Sequence, residues 1–215
     1  MSNSNIIGAA DGPTAVFVSS RAVGDTVLLY FTLLLFIVFV AVYFGRRRKM
    51  DRFFAVMAAA WVVIIDRYVK RAVVLALAPG DSAELLPGLF RLEHVHNYGA
   101  AWSSFSGARW LLVAVTVAAL AALVWLAVRI VRHPLGVWSL WLVVGGGVGN
   151  LIDRVSAGYV VDMIAAEFMD FPVFNVADVF VTCGAFAAAV YYIKYYEKHD
   201  AKNWGKKKPD GTDPS

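Results

Sequence analysis

The sequence predicts an all-α membrane protein: a four-helix transmembrane core, one extra N-terminal transmembrane helix, and a small extracytoplasmic β-element. Three observations carry this expectation. The 215-residue chain is 60% hydrophobic, whereas a soluble domain averages about 45–50%. Its apolar residues gather in long runs near 27–44, 53–78, 110–128, 134–150 and 174–192, lengths that suit helices crossing a bilayer. Basic clusters at 46–49, 129–133 and 194–208 flank those runs, and the alternation of spans puts all three on one side. By the positive-inside rule that side is cytoplasmic. The net charge of +4 therefore reads as a topology signal and points away from a nucleic-acid partner.

The chain divides into an extension at 1–50, a core at 51–196 and a basic tail at 197–215. The start lacks the basic region of a signal peptide. The run at 27–44 is about 28 Å long as a helix, and Arg46, Arg47, Arg48 and Lys49 follow it. It reads as a retained anchor with the N-terminus outside. The second run carries Asp66, Arg67, Lys70 and Arg71. Asp66 and Lys70 are four apart and share a helix face, so they can pair. The polar stretch at 80–106 contains Leu85–Asn97, bounded by Pro87-Gly88 and Gly99, which reads as one or two short strands. His94 and His96 fall on one strand face. No Cys or further His lies near them, so no metal site is expected. Trp102, Phe105 and Trp110 suit an interfacial belt. The third and fourth spans are joined by a short basic turn. Gly145 and Gly149 are four apart, a close-packing pattern for membrane helices. The stretch from about 155 to 172 is expected as an outer loop. The last span leads into the Lys-rich tail, expected to be disordered and cytoplasmic. Cys183, the single cysteine, excludes an internal disulfide and is expected buried as a small packing residue.

With the spans so placed, Asp66, Lys70, Asn97, Asn150, Asp153, Arg154, Asp162, Asn175 and Asp178 all come out near the outer face. An ionisable group at bilayer depth costs about 2.5–3.5 kcal/mol on insertion scales, so this gathering implies use. Asn150, Asp153 and Arg154 share one face, where Asp153 and Arg154 could form an ion pair. Asn175 and Asp178 open the last helix, whose N-terminus favours a carboxylate. A second acid nearby would make the pair share a proton. One Asp could then take a proton from water while the other holds a carbonyl oxygen, which is amide hydrolysis without metal, serine or cysteine. Two membrane carboxylates also suit an ion pathway, so spacing alone leaves a transporter component open.

Five segments together resemble the lipoprotein signal peptidase family, also called signal peptidase II. They are Asp66-Arg67-Tyr68-Val69-Lys70, Asn97-Tyr98-Gly99-Ala100-Ala101-Trp102-Ser103, the run from Gly145-Gly146-Gly147 through Gly149-Asn150 to Asp153-Arg154, Val160-Val161-Asp162, and Phe174-Asn175-Val176-Ala177-Asp178. The resemblance implies an aspartic membrane peptidase without cofactor or metal, in the bacterial cell membrane, with its site at the outer leaflet. It implies a diacylglyceryl prolipoprotein as substrate, cut on the amino side of the lipidated cysteine, with membrane lipids as further partners. It implies Asp162 and Asp178 as the catalytic pair. Asn97, Gly99, Asn150, Arg154, Asn175 and Ala177 would position substrate or dyad, with Asp66, Lys70 and Asp153 in support. The stretch at 85–100 would be the family's β-cradle, with Leu89, Phe90 and Leu92 in the lipid headgroups. Residue 67 departs from the pattern, being Arg where the family usually has Gln. Residues 7–15, around Asp11, resemble a short segment of the β subunits of sodium-pumping decarboxylases, although an outside-facing turn suits them better.

Overall fold

The computed structural model describes residues 51–99 and 107–201, all within one compact unit. The expected helix at 27–44, Asp11, Trp102, Phe105 and the tail from 202 lie outside the described residues.

Among the described residues, four α-helices and three strands follow in the order α1 (Asp51–Ala76), β1 (Ser82–Leu86), β2 (Phe90–Asn97), α2 (Arg109–Arg129), α3 (Pro134–Ser156), β3 (Val160–Ala166) and α4 (Val176–Tyr191). A wider, π-helical segment, Tyr192–Ala201, continues α4 past the expected end of the last span. Among the described residues, three helices are long and apolar enough to cross a membrane: Arg109–Arg129, Pro134–Ser156 and the continuous Val176–Ala201. Helix α1 is long enough but carries too many charges to join them. Its buried stripe explains this. Ala55, Ala58, Ala59, Val62, Asp66, Lys70 and Val73 recur every three or four residues, so the acid and the lysine continue the face that packs on the bundle.

Helix α3 occupies the middle of the bundle, against α1, α2 and α4. Pro134 starts it, a position where the missing N–H costs nothing. Its glycines turn successive faces to different neighbours. A Cβ on Gly145 would lie 2.7 Å from the Ala59 carbonyl oxygen on α1, and one on Gly146 would lie 2.4 Å from the Ala177 carbonyl oxygen on α4. One on Gly149 would lie 2.6 Å from the Asp66 carboxylate. Backbones approach so closely only where side chains are absent.

The strands form an antiparallel sheet in the order β1-β2-β3. Pro87 and Gly88 make the hairpin turn: Leu89 N–H donates to Leu86 O at 3.0 Å, and Gly88 has a φ of +74°. Those residues and that φ fit a type II turn. The one or two strands expected within 85–97 are two, Ser82–Leu86 and Phe90–Asn97, paired as a hairpin, but the expected loop at 155–172 is only partly one. Residues 160–166 are a strand whose Asn97↔Val160 and Val95↔Asp162 pairings seat it on β2. Val160, Val161 and Met163 are buried beside Asp162, so the strand is held by burial as well as by its ladder.

Candidate active site

Each acid of the expected pair comes from a different kind of element. Asp162 lies on β3, and Asp178 lies in the first turn of α4. Asn175 caps that helix: its Oδ1 accepts from Asp178 N–H at 2.9 Å, and Asn175 N–H donates to Asp178 Oδ2 at 3.2 Å. This reciprocal arrangement is a capping box, which satisfies two donors that a helix start would otherwise leave open. The same Asn175 donates through Nδ2 to Asp162 Oδ1 at 2.6 Å. One buried asparagine therefore touches both carboxylates.

Two more asparagines complete the frame. Asn97 Nδ2 donates to Asp162 Oδ2 at 2.9 Å, and Asn150 Nδ2 donates to Asp178 Oδ1 at 2.7 Å. Each carboxylate oxygen thus accepts from one neighbour. Asn97 is steadied in turn by Gly99 N–H, which donates to its Oδ1 at 2.9 Å. Arg154 Nη2 then holds the Gly99 carbonyl at 3.0 Å.

Beneath this frame sits Lys70. Its ammonium donates to Asn150 Oδ1 at 2.8 Å and lies 2.8 Å from each of Asp66 Oδ2 and Asp153 Oδ2, pairing with both acids by charge. Because an ammonium only donates, Lys70 fixes which end of Asn150 is oxygen and turns the amide NH2 toward Asp178. Asp66 also accepts from Ala177 N–H at 2.9 Å, tying α1 to the start of α4. Arg67 pairs with Asp153 Oδ1. The expected pairing of Asp66 with Lys70 is present. The Asp153–Arg154 pair that helical spacing left open is not formed: Asp153 pairs with Arg67 and Lys70 on α1, while Arg154 reaches Gly99.

Burial pushes the Asp162 carboxyl up to about 6. The amides of Asn97 and Asn175 work against that rise, and the nearby Asp178 carboxylate adds to it.

Asp162, Asp178, Asn97, Asn150 and Arg154 line one cavity of about 460 Å³. Its other walls include Phe171, Pro172, Val173, Phe174 and Val179. Cys183 corrects an expectation: it is exposed and lines this cavity, since α4 turns that face away from α3. His94 and His96 meet Nε2 to Nε2 at 3.1 Å. Among the described residues no three His, Cys, Asp or Glu side chains converge as a metal site would need.

The signal peptidase (SPase) II family model matches residues 58–194, a stretch that contains every residue of this frame. The chain belongs to the signal peptidase II family. Among its relatives, the lipoprotein signal peptidase of Symbiobacterium thermophilum is 41% identical over 133 residues, 60% of this chain and 88% of the relative. That of Lactococcus lactis subsp. cremoris MG1363 is 39% identical over 122 residues, 57% and 81% respectively. A solved bacterial membrane enzyme, determined by the in meso method at 2.3 Å, superposes with a TM-score of 0.63 at 30% identity, covering 74% of this chain and 94% of that one. The protein is thus a membrane aspartic peptidase of signal peptidase II type, from a bacterial membrane family.

The sequence motifs name most of the frame but leave out four contributors. Arg67 stands out only as a departure from the pattern. The wall residues Phe171 and Pro172 and the exposed face of Cys183 carry no motif. The β3 strand did leave a signal, in the β-branched Val160, Val161 and Ile164 after Gly158.

Proposed function

We propose that this peptidase removes the signal peptide from diacylglyceryl-modified prolipoproteins, cutting on the amino side of the lipidated cysteine, with Asp162 and Asp178 as the dyad. The observation that carries the reading is Asn175, which bonds Asp162 and caps the helix of Asp178 at the same cavity. Asp178, at a helix N-terminus and accepting two hydrogen bonds, suits the ionised partner. Asp162, with its raised affinity for a proton, suits the protonated one.

In the proposed reaction, Asp178 accepts a proton from water as the oxygen attacks the scissile carbonyl. Asp162 donates its proton to the carbonyl oxygen, giving a tetrahedral diol. Asp178 then passes its proton to the leaving nitrogen, the C–N bond breaks, and Asp162 recovers a proton from the collapsing diol. The apolar cavity wall suits the lipid and the greasy segment of such a substrate.

The proposed topology has four core spans, counting α1, after an additional N-terminal one. The N-terminus is outside, the C-terminus is cytoplasmic, and the dyad lies at the outer leaflet. The unit boundaries follow at 1–50, 51–196 and 197–215. Charge clustering supports this. Of the residues named in the frame, Asp66, Lys70, Asn150, Asp153 and Asp162 gather at one end of the bundle, while Arg129, Arg132 and Lys194 lie at the other. On this reading the exposed Leu89, with Leu85 and Leu86 at the hairpin tip, rests among lipid headgroups, whereas Leu92, expected there too, packs instead against Val73, Val161 and Met163.

The test is incubation of the purified protein, in detergent or liposomes, with a diacylglyceryl prolipoprotein peptide. Cleavage should persist in a chelator and vanish in both Asp162→Asn and Asp178→Asn. Cleavage retained by either variant removes that acid from the dyad, and metal-dependent cleavage overturns the mechanism.

A further inference from the structure

We infer that Arg67 is a positioning residue for the dyad, acting through Asp153, Lys70 and Asn150. The inference rests on the dyad reading above. Arg67 holds Asp153 Oδ1, which leaves Asp153 Oδ2 for Lys70 at 2.8 Å. Lys70 in turn holds Asn150 Oδ1, and Asn150 Nδ2 points at Asp178 Oδ1. The line of contacts is unbroken from the guanidinium to the acid.

Charge makes the chain matter. Asp66 and Asp153 are buried with Lys70 between them. Two carboxylates against one ammonium leave an excess negative charge in a site where charge is poorly screened. Arg67, whose side chain is 43% exposed, restores the balance from the rim at low desolvation cost. Without it, Lys70 is drawn more strongly to Asp153 and loosens its hold on Asn150.

The other charges facing this group are Arg154 on α3, Asp162 on β3 and Asp178 on α4. Arg154 feels Asp153, Asp162 and Asp178 together. It is committed to the Gly99 carbonyl, so it does not replace Arg67 on Asp153.

The experiment measures kcat, KM and the pH profile of lipopeptide cleavage for the wild type, Arg67→Gln, Arg67→Lys, and Arg67→Gln combined with Asp153→Asn. Arg67→Gln should lower kcat about fivefold with KM nearly unchanged, and should move the profile to higher pH, because the added negative charge disfavours ionisation of the dyad. Arg67→Lys keeps the charge and should hold the wild-type profile. The double variant restores neutrality and should return the profile to its wild-type position. Arg67→Gln with wild-type kcat and profile but a lower Tm would make Arg67 a brace between α1 and α3 and overturn the proposal. If Arg67→Gln does not fold, a shifted profile in Arg67→Lys overturns it equally. A wild type that does not cleave, or an Asp162→Asn variant that does, fails the dyad reading and this inference with it. An unshifted profile in an Asp162-dependent enzyme fails this inference alone.

Discussion

The side-chain amide of Asn175 donates to Asp162 at 2.6 Å while its carbonyl caps the helix that begins beside it. The residue that caps α4 thereby sets the position of an acid on β3. The separation of the two carboxylates depends on how the sheet seats on the bundle, and Asn175 is the direct tie between them.

Replacing Asn175 with Ala should therefore do two kinds of damage. Loss of the cap costs about 1 kcal/mol of stability, and the freed Asp162 loses a donor. We expect a lower Tm and a kcat reduced more than a hundredfold, on the order of 3 kcal/mol of transition-state stabilisation, with KM little changed. Steady-state kinetics on the folded variant checks this. A KM effect alone would mean that Asn175 binds substrate and does not order the acids.

Asp162 makes stability depend on pH in a predictable direction. Its carboxyl rises from 3.8 to about 6 on folding, so between those values the folded protein keeps a proton that the unfolded chain has released. The associated stability is complete below about 3.8 and is lost as pH rises through about 6. The difference is on the order of 3 kcal/mol. Thermal unfolding from pH 4 to 7 should show the wild type losing stability relative to Asp162→Asn, because the amide does not titrate. Parallel Tm curves for the two proteins would contradict this.

The glycines of α3 offer a matched pair of substitutions. A Cβ at Gly146 meets the Ala177 carbonyl at 2.4 Å, whereas one at Gly147 meets the Leu120 Cδ2 methyl at 2.7 Å. Backbone cannot step aside, but the end of a leucine can change rotamer. Gly146→Ala should cost about 1–3 kcal/mol or more and disturb the start of α4, where Asp178 sits. Gly147→Ala should be far milder. Equal Tm losses would show that helix packing here is looser than the distances imply.

At the far end of the bundle, Asp200 is buried and accepts from the backbone N–H groups of Arg132 and His133 at 3.2 and 3.3 Å, and from the Tyr191 hydroxyl. Asp200→Ala should lower stability by about 2 kcal/mol or more and leave kcat near the wild-type value, since the site is at the opposite end. Tm and lipopeptide turnover measured together check both halves of this expectation.

How much of this the sequence allows a reader to see depends on the range of each interaction. The spans of α2, α3 and α4 announce themselves by continuous apolarity. The Asp66–Lys70 pair follows from helical spacing alone. The segments bearing Asn97, Asn150 and Asn175 are legible as motifs, but which amide meets which carboxylate is not, because those partners lie 13 to 65 positions apart. Arg154 shows the hazard of proximity in the sequence. It adjoins Asp153 yet points elsewhere, since neighbours on a helix diverge by a large angle. The β3 strand leaves a β-branched signal at Val160, Val161 and Ile164, but Asp162 breaks its apolar run and weakens that signal. Cys183 was misjudged because an apolar stretch tells nothing of which side a helix presents to its neighbours and which to the cavity.

The family match closes at residue 194, six positions before Asp200. A fragment trimmed to that boundary would keep every group that faces the cavity. It would also leave two amide N–H groups in the α2–α3 turn without the carboxylate that receives them. The sensible place to cut this chain, for expression or for crystals, is therefore beyond the last carboxylate that the bundle has drawn inside itself.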